Sequence, residues 1–201
     1  MFTGIVETMG KVVKIEKDKG NIHFTIESSI GNKLKIDQSL SHDGVCLTVV
    51  KVDKEKKHHI VTAIQETLDK TCLGSWDVGY EVNLERSMKF DNRFDGHVVQ
   101  GHVDQIAKCI EVTETEGSWK YVFEYSSDKG NITVEKGSIS INGVSLTVVN
   151  SGKNSFSVAI IPYTFQVTNF HNFKPNTIVN IEFDIFGKYV AKLLKEFLDS
   201  K

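Results

Sequence analysis

Gly44-Val45-Cys46-Leu47-Thr48-Val49-Val50 returns 99 residues later as Gly143-Val144-Ser145-Leu146-Thr147-Val148-Val149, with one cysteine exchanged for serine. On the N-terminal side, Gly4-Ile5-Val6-Glu7 returns as Gly101-His102-Val103-Asp104. On the C-terminal side, Val82-Asn83-Leu84-Glu85 returns as Val179-Asn180-Ile181-Glu182, and both of these blocks repeat at an offset of 97. Three blocks in one order and at nearly one spacing make the chain a tandem duplication. The copies are read as residues 1–87 and 98–186. The polar segment from Ser87 to Gly96, which includes Phe90 and Asn92, joins them, and residues 187–201 form a tail.

The local pattern gives the architecture of each copy. Short runs rich in Val, Ile, Thr and Phe alternate with breaks containing Lys, Asp, Asn and Gly. Lys11 to Ile15, His23 to Glu27, Leu47 to Val52, His59 to Ile64, Tyr80 to Leu84, Lys120 to Tyr125, Phe156 to Ile161 and Thr177 to Phe183 are examples. Short strands at regular intervals predict an all-β sandwich or barrel. A unit of about six strands removes its exposed edges most simply by closing on itself. The expectation is two similar antiparallel six-stranded barrels of Greek-key type. The tail is different: Val190, Leu194 and Phe197, with Leu193 and Leu198, lie along one stripe at helical spacing. A helix of that length is marginal alone. It packs either on its own barrel or on another subunit, and spacing does not separate the two.

Composition excludes several functions. A net charge of −2 gives no footprint for nucleic acid or an anionic membrane. No apolar run approaches the roughly 18 residues of a membrane helix. The start of the chain has no basic region followed by an apolar run, so it does not read as a signal peptide. Three cysteines without paired spacing read as reduced thiols in a cytoplasmic protein. His58-His59, beside the basic run Lys54 to Lys57, reads as an exposed turn.

Two like pockets follow from a duplicated unit, and chemistry is sought where the copies differ. The glycine before each Val-x-Leu-Thr strand lets the backbone approach a neighbour or a ligand. Ile64-Gln65-Glu66-Thr67 matches Ile161-Pro162-Tyr163-Thr164, followed by Thr71 and Thr168. Threonine hydroxyls and backbone amides suit a flat heterocycle bearing carbonyls and ring nitrogens. No glycine-rich phosphate loop is present. Between the copies Ile5 becomes His102, Cys46 becomes Ser145, Asp37 becomes Lys136 and Ser87 becomes Asp184. Gly96-His97-Val98-Val99-Gln100-Gly101-His102 has no full counterpart, because the first copy begins the chain. His97 and His102, five residues apart, would fall on opposite faces of a strand, which argues against a shared metal. Either could act as a general acid or base. Cys46 has no base assigned to it and reads as a small buried residue unless its thiol is activated. Cys72 and Cys109 read as core.

Met1-Phe2-Thr3-Gly4-Ile5-Val6-Glu7, the two Gly-Val-x-Leu-Thr blocks and Gly96-His97-Val98-Val99-Gln100-Gly101-His102-Val103-Asp104 together resemble the riboflavin synthase family over essentially the whole chain. The resemblance implies two six-stranded barrels and a cytoplasmic homotrimer held by C-terminal helices. It also implies dismutation of two 6,7-dimethyl-8-ribityllumazine molecules, one giving a four-carbon unit to the other. The products are riboflavin and 5-amino-6-ribitylaminouracil, and no cofactor or metal takes part. Lumazine synthase is a possible partner of such proteins. Each active site would lie between the N-terminal barrel of one subunit and the C-terminal barrel of another.

By the same resemblance the catalytic candidates are His97, Cys46, Ser145, His102 and Asp184, with Ser39 nearby. Substrate-binding candidates in the first copy are Gly4, Ile5, Val6, Cys46, Leu47 and Thr48, then Thr62, Ala63, Ile64, Gln65, Glu66 and Thr67. In the second copy they are Gly101, His102, Val103, Lys136, Ser145, Leu146 and Thr147, then Ile161, Pro162, Tyr163, Thr164, Phe165 and Gln166. Asp95-Gly96 departs from the two glycines the family often carries there. The competing function is that of the lumazine proteins, fluorescent antennae with the same duplication. These tend to lack the second-copy Gly-His-x-x-x-Gly-His pattern that is present here.

Overall fold

The structure, a computed structural model, describes residues 1–89, 91, 93–128 and 130–200. Phe90 and Asn92 of the junction and Lys201 of the tail lie outside the described residues.

In the first copy β1 (Thr8–Asp18), β2 (Asn21–Ser28), β3 (Ser39–His42), β4 (Val45–Asp53), β5 (His58–Ala63) and β6 (Glu81–Arg86) close into a barrel in the order β1-β2-β5-β4-β3-β6. The second copy repeats this with β7 (Gln105–Thr115), β8 (Ser118–Glu124), β9 (Ser138–Ile141), β10 (Val144–Ser151), β11 (Ser155–Ile160) and β12 (Ile178–Phe183), ordered β7-β8-β11-β10-β9-β12. Every pairing is antiparallel. The predicted strand runs fall within or beside these strands. The Val144-x-Leu-Thr block forms β10 as read, and β3, β7 and β9 are added to the runs named.

Even the irregularities are duplicated. The ladder shifts between Val12 and Lys14 in β1 and again between Cys109 and Glu111 in β7. It shifts between Val49 and Lys51 in β4 and between Val148 and Asn150 in β10. Such bulges add the local twist that lets six short strands curl shut. Inside, Phe24, Ile26, Leu40, Val49, Val61 and Leu84 fill the first barrel. The second is more aromatic, built on Tyr121, Phe123, Phe156 and Phe170.

A short helix follows β5 (α1, Gln65–Lys70) and its counterpart follows β11 (α2, Pro162–Val167), the latter opened by a proline in its first turn, where no amide partner is lost. The tail forms α3 (Ile185–Asp199). Among the described residues its own barrel does not cover the apolar stripe. Phe186, Tyr189, Val190, Leu193, Leu194, Phe197 and Leu198 are all between 56% and 69% exposed. The helix is tethered at its start, where Asp184 caps the Phe186 amide and Lys188 pairs with Asp104 at 2.7 Å. No helix among the described residues is long and apolar enough to cross a membrane.

The barrels meet through their matching hairpins. Asp43-Gly44 and Asn142-Gly143 both turn with positive φ at each position, the form favoured by Asp-Gly and Asn-Gly between two strands. Each glycine faces the other: a Cβ on Gly44 would stand 2.8 Å from the Gly143 nitrogen, and the converse also holds. The close neighbour expected at these glycines is therefore the other copy. Around them runs a buried lattice of amides. Asn83 Nδ2 donates to the Asn142 carbonyl at 2.9 Å and Asn180 Nδ2 to the Asp43 carbonyl at 2.9 Å. Asp43 is fully buried and accepts from the Asn83 amide, Asn169 Nδ2 and Tyr80 Oη.

The segments that lead into the barrels are exchanged. Phe2 bridges Val99, and from there each leader crosses to the opposite barrel. The Ser145 amide in the second barrel donates to the Gly4 carbonyl at 2.7 Å, and the Cys46 amide in the first donates to the Gly101 carbonyl at 2.9 Å. Val6 packs against the core of the second barrel and Val103 against that of the first.

His58 and His59 do not form an exposed turn. They open β5, and the side-chain alternation of the strand sends His59 into the barrel, fully buried against His42.

Candidate active site

The exchange of leaders decides which residues meet. In the second barrel His97 Nδ1 lies 2.7 Å from Ser145 Oγ. The His97 amide donates to the Thr3 carbonyl at 3.1 Å, so the N-terminal leader holds the histidine from behind. Burial pulls the imidazole below its usual range, and the charge of Asp184 partly opposes this. His97 is therefore neutral at physiological pH, able to take the serine proton or pass one on. Gly96 is the indispensable glycine here, since a Cβ on it would run into the Thr3 carbonyl oxygen. Asp95 is exposed and outside that close approach.

In the first barrel a cavity of about 280 Å³ is lined by Val45, Cys46, Glu66, Thr67, Lys70 and Thr71, together with Gly101, His102 and Val103 of the second leader. Cys46 is partly exposed at this cavity, which corrects its reading as a small buried residue. His102 also lines this cavity. His97 and His102 are on an irregular segment, not on opposite faces of a strand. The segment leading into the second copy delivers one histidine to each barrel, with Gly101 turning between them at φ +80°. Cys72 and Cys109 are buried, as read.

The remaining candidates fall around these two centres. Gly4 presses on Ser145, where a Cβ on the glycine would lie 2.6 Å from the serine Cβ. Ile5 is exposed beside it and Val6 half-buried. Leu47 is buried, Leu146 half-buried, and Thr48 and Thr147 point outward from β4 and β10. Thr67 and Thr164 occupy matching turns of α1 and α2, and their carbonyls accept the hydroxyls of Thr71 and Thr168, each at 2.7 Å. Ile64, Gln65, Ile161, Pro162, Tyr163 and Gln166 are exposed around these helices. Phe165 instead stacks on Trp119 at 3.9 Å, closing the end of the barrel. Thr62 is held by His23 Nδ1 at 2.8 Å and Ala63 is buried, so neither side chain is among those lining the first cavity. Lys136 is exposed in a left-handed turn that matches Asp37. Ser39 lies opposite Thr48 on β3 and does not line the first cavity.

Lys70 went unnoticed in the sequence. It pairs with Glu66 at 2.7 Å, where the second copy has the uncharged Val167 and Tyr163. Glu85 and Glu182 were also missed as site residues, although they end a quoted repeat block. A carboxylate recurring at the same place in a buried strand was the available signal.

The lumazine binding domain matches this chain twice, over residues 3–87 and 100–184. The riboflavin synthase of Actinobacillus pleuropneumoniae is 38% identical over 195 residues, covering 96% of this chain and 90% of that one. That of Bacillus subtilis (strain 168) is 34% identical over 202 residues, covering 100% and 93%. The chain belongs to the riboflavin synthase family.

The fold agrees. LumP in complex with riboflavin superposes with a TM-score of 0.83 at 25% identity, over 91% of this chain and 99% of that one. LumP in complex with 6,7-dimethyl-8-(1'-D-ribityl)lumazine gives 0.82 at 23% identity, over 90% and 98%, a likeness of fold. The two closed antiparallel barrels of this chain are as expected from the repeat, and its terminal helix as expected from the stripe in the tail. Like its relatives in that family, this chain is an enzyme of riboflavin biosynthesis. Among the described residues no group of three or more His, Cys, Asp or Glu side chains is placed to hold a metal ion.

Proposed function

We propose that the chain dismutates two molecules of 6,7-dimethyl-8-ribityllumazine into riboflavin and 5-amino-6-ribitylaminouracil, with His97 and Ser145 as the principal acid–base pair. The observation that carries this is the inequality of two otherwise duplicate sites. One holds His97 on Ser145 at 2.7 Å, and the other has Cys46 and His102 lining a cavity. Two identical substrates call for two similar pockets, and unequal roles call for different side chains within them.

The 7-methyl proton of the lumazine is acidic because its anion delocalises into the ring. A neutral, partly desolvated imidazole is suited to remove it or to deprotonate Ser145. Fixed backbone amides near the ring stabilise the charge that develops. The other lumazine accepts a nucleophile at C7, either water or the Cys46 or Ser145 side chain. Holding two rings face to face supplies much of the remaining acceleration. Asp184 acts on His97 through its charge, and His102 serves the Cys46 side.

The uncovered apolar face of α3 supports a homotrimer assembled through this helix. In that assembly the first barrel of one subunit faces the second barrel of the next, and the two lumazines stack between them. The three free thiols support a cytoplasmic setting. Association with lumazine synthase, which would bring a lumazine source to these pockets, is testable by co-sedimentation.

The deciding experiment is an anaerobic assay with purified protein and 6,7-dimethyl-8-ribityllumazine alone. Two lumazines consumed per riboflavin formed is the expected result. A tight fluorescent complex without riboflavin would replace the enzyme by an antenna.

A further inference from the structure

Each barrel buries one carboxylate near its leader-binding end, and among the described residues neither has a cationic partner within salt-bridge distance. Glu85 on β6 accepts the Thr3 amide at 2.7 Å, the Thr3 hydroxyl at 2.9 Å and the Gly4 amide at 3.0 Å. Glu182 on β12 accepts the Gln100 amide at 2.7 Å and the Gly101 and His102 amides at 2.9 Å each. Glu85 is 7% exposed and Glu182 2%. A buried carboxylate is costly unless its oxygens are filled by donors, and bonds to a charged acceptor are the stronger kind. These six bonds all go to the leaders, one of which walls the cavity of the first barrel while the other holds the His97 and Ser145 amides.

We propose that Glu182 and Glu85 are cross-acting positioning residues: each carboxylate, rooted in one barrel, sets the active-site wall of the other. Glu182, in the second barrel, fixes Gly101 and His102. Gly101 then accepts the Cys46 amide, and its backbone lies so close that a Cβ would come within 2.5 Å of the Cys46 Cβ. Removing the Glu182 charge therefore loosens the cavity of the first barrel. Glu85, in the first barrel, fixes Thr3 and Gly4. Thr3 holds the His97 amide and Gly4 the Ser145 amide, so removing that charge loosens the His97–Ser145 pair of the second barrel. A glutamine cannot replace either residue fully, because its NH₂ group would face an amide that needs an acceptor.

The inference rests on the reading of these two centres as lumazine sites, but its first test needs no ligand. Cys46 is partly exposed while Cys72 and Cys109 are buried, so brief iodoacetamide treatment of the full-length chain reports on Cys46. In Glu182→Gln the rate of Cys46 alkylation is expected to rise about tenfold, the factor that loss of one charge-assisted hydrogen bond corresponds to. In Glu85→Gln it stays at the unsubstituted rate, although turnover falls. An unchanged rate in Glu182→Gln, or an equal rise in both variants, overturns the crossing.

If Glu182→Gln does not fold, Glu182→Asp is followed by hydrogen–deuterium exchange. Peptides spanning residues 99–103 should exchange faster, with those spanning 2–6 unchanged, and loosening of both together overturns the proposal. Saturating lumazine is then added to the unsubstituted chain. Its failure to protect Cys46 would sink the assignment of the first cavity to lumazine, while the alkylation pattern still decides the crossing.

Discussion

The two copies share strand order, bulges, hairpins and leader clamps, and they differ in what is placed on that common frame. The second barrel carries Ser145 with an imidazole already in contact, while the first carries Cys46 at a cavity that His102 also lines. His102 replaces Ile5 within a repeated block, and His97 sits just ahead of the second copy, where the first has no counterpart. Duplication supplied two equivalent frames. The stretch from His97 to His102 supplied the imidazoles that make them unequal, and leader exchange carried one to each side. Function in this fold thus depends on where the repeats diverge and on the residues just ahead of the second.

The largest effect is expected from erasing that inequality. His97→Ala or Ser145→Ala should lower kcat by about 10² to 10⁴, the usual worth of a positioned acid–base group, with a much smaller change in lumazine binding. Steady-state turnover with 6,7-dimethyl-8-ribityllumazine checks it. Wild-type turnover in His97→Ala would remove that residue from the mechanism. In the unsubstituted chain the acid limb of the rate profile should lie below the ordinary histidine range, because burial favours neutral His97.

The tail offers the next contrast, since only the second copy continues into a helix. Val190→Glu with Leu194→Glu places two charges on the exposed stripe. Each apolar side chain buried at an interface is worth about 1.5 to 3 kcal/mol, and burying a charge there costs more. The double variant should therefore sediment as a monomer and lose at least about tenfold in turnover, if sites span subunits as proposed. A monomeric variant with full activity would confine each site to one chain.

The fold was legible because its signals are local and doubled. The Gly-Val-x-Leu-Thr blocks, the alternation in β2, β5 and β8, and the stripe in α3 each state their structure within a few residues. The site was legible as a list, since His97, His102, Cys46 and Ser145 stood out as differences between the copies. Its assembly was not legible. Nothing local says that Gly4 belongs against Ser145 and Gly101 against Cys46, because the exchange is fixed by long-range bonds to Glu85 and Glu182. His59 was misplaced for a related reason. Its polar neighbours read as a turn, but the period-two alternation of β5 outweighs them and sends the ring inward.

A smaller effect is expected at the seam between the copies, where Asp43 stands opposite Asn142. Burial lifts the Asp43 carboxyl to about 7, despite bonds from the Asn83 amide, Tyr80 and Asn169 that favour its anion. The folded state therefore holds this proton longer than the unfolded state. The stability it contributes is complete below about pH 4 and is lost as pH rises towards 7, by roughly 4 kcal/mol at most. Asp43→Asn makes the hairpins alike and should abolish that slope. Chemical denaturation at pH 4.5 and pH 8 should show the variant gaining on the unsubstituted chain only at the higher pH. An equal gain at both would assign the effect to packing.

The smallest expected difference lies inside the barrels, where the first has His42 and His59 and the second has Ile141 and Phe156 at the matching positions. His42 Nδ1 faces the Leu40 carbonyl at 3.1 Å, so that nitrogen carries the proton and Nε2 accepts. His59 must then donate through Nε2 across 2.9 Å, which leaves its Nδ1 without a partner. Neither ring can take a second proton without burying charge. Burial accordingly drives His42 well below the ordinary value and His59 down to about 4. The sign is opposite to that of Asp43. As pH falls below about 6.5 the unfolded chain takes up protons that the folded barrel refuses, so stability declines towards pH 4. Replacing the pair by its second-copy counterparts, His42→Ile with His59→Phe, should leave the melting temperature within a few degrees at pH 7.5. The same variant should raise it by roughly 5 °C at pH 5. The readout is the difference between the two pH values, since new packing shifts both alike. A shift that is the same at both would mean that the histidines serve the first barrel as filler and that its acid sensitivity arises elsewhere.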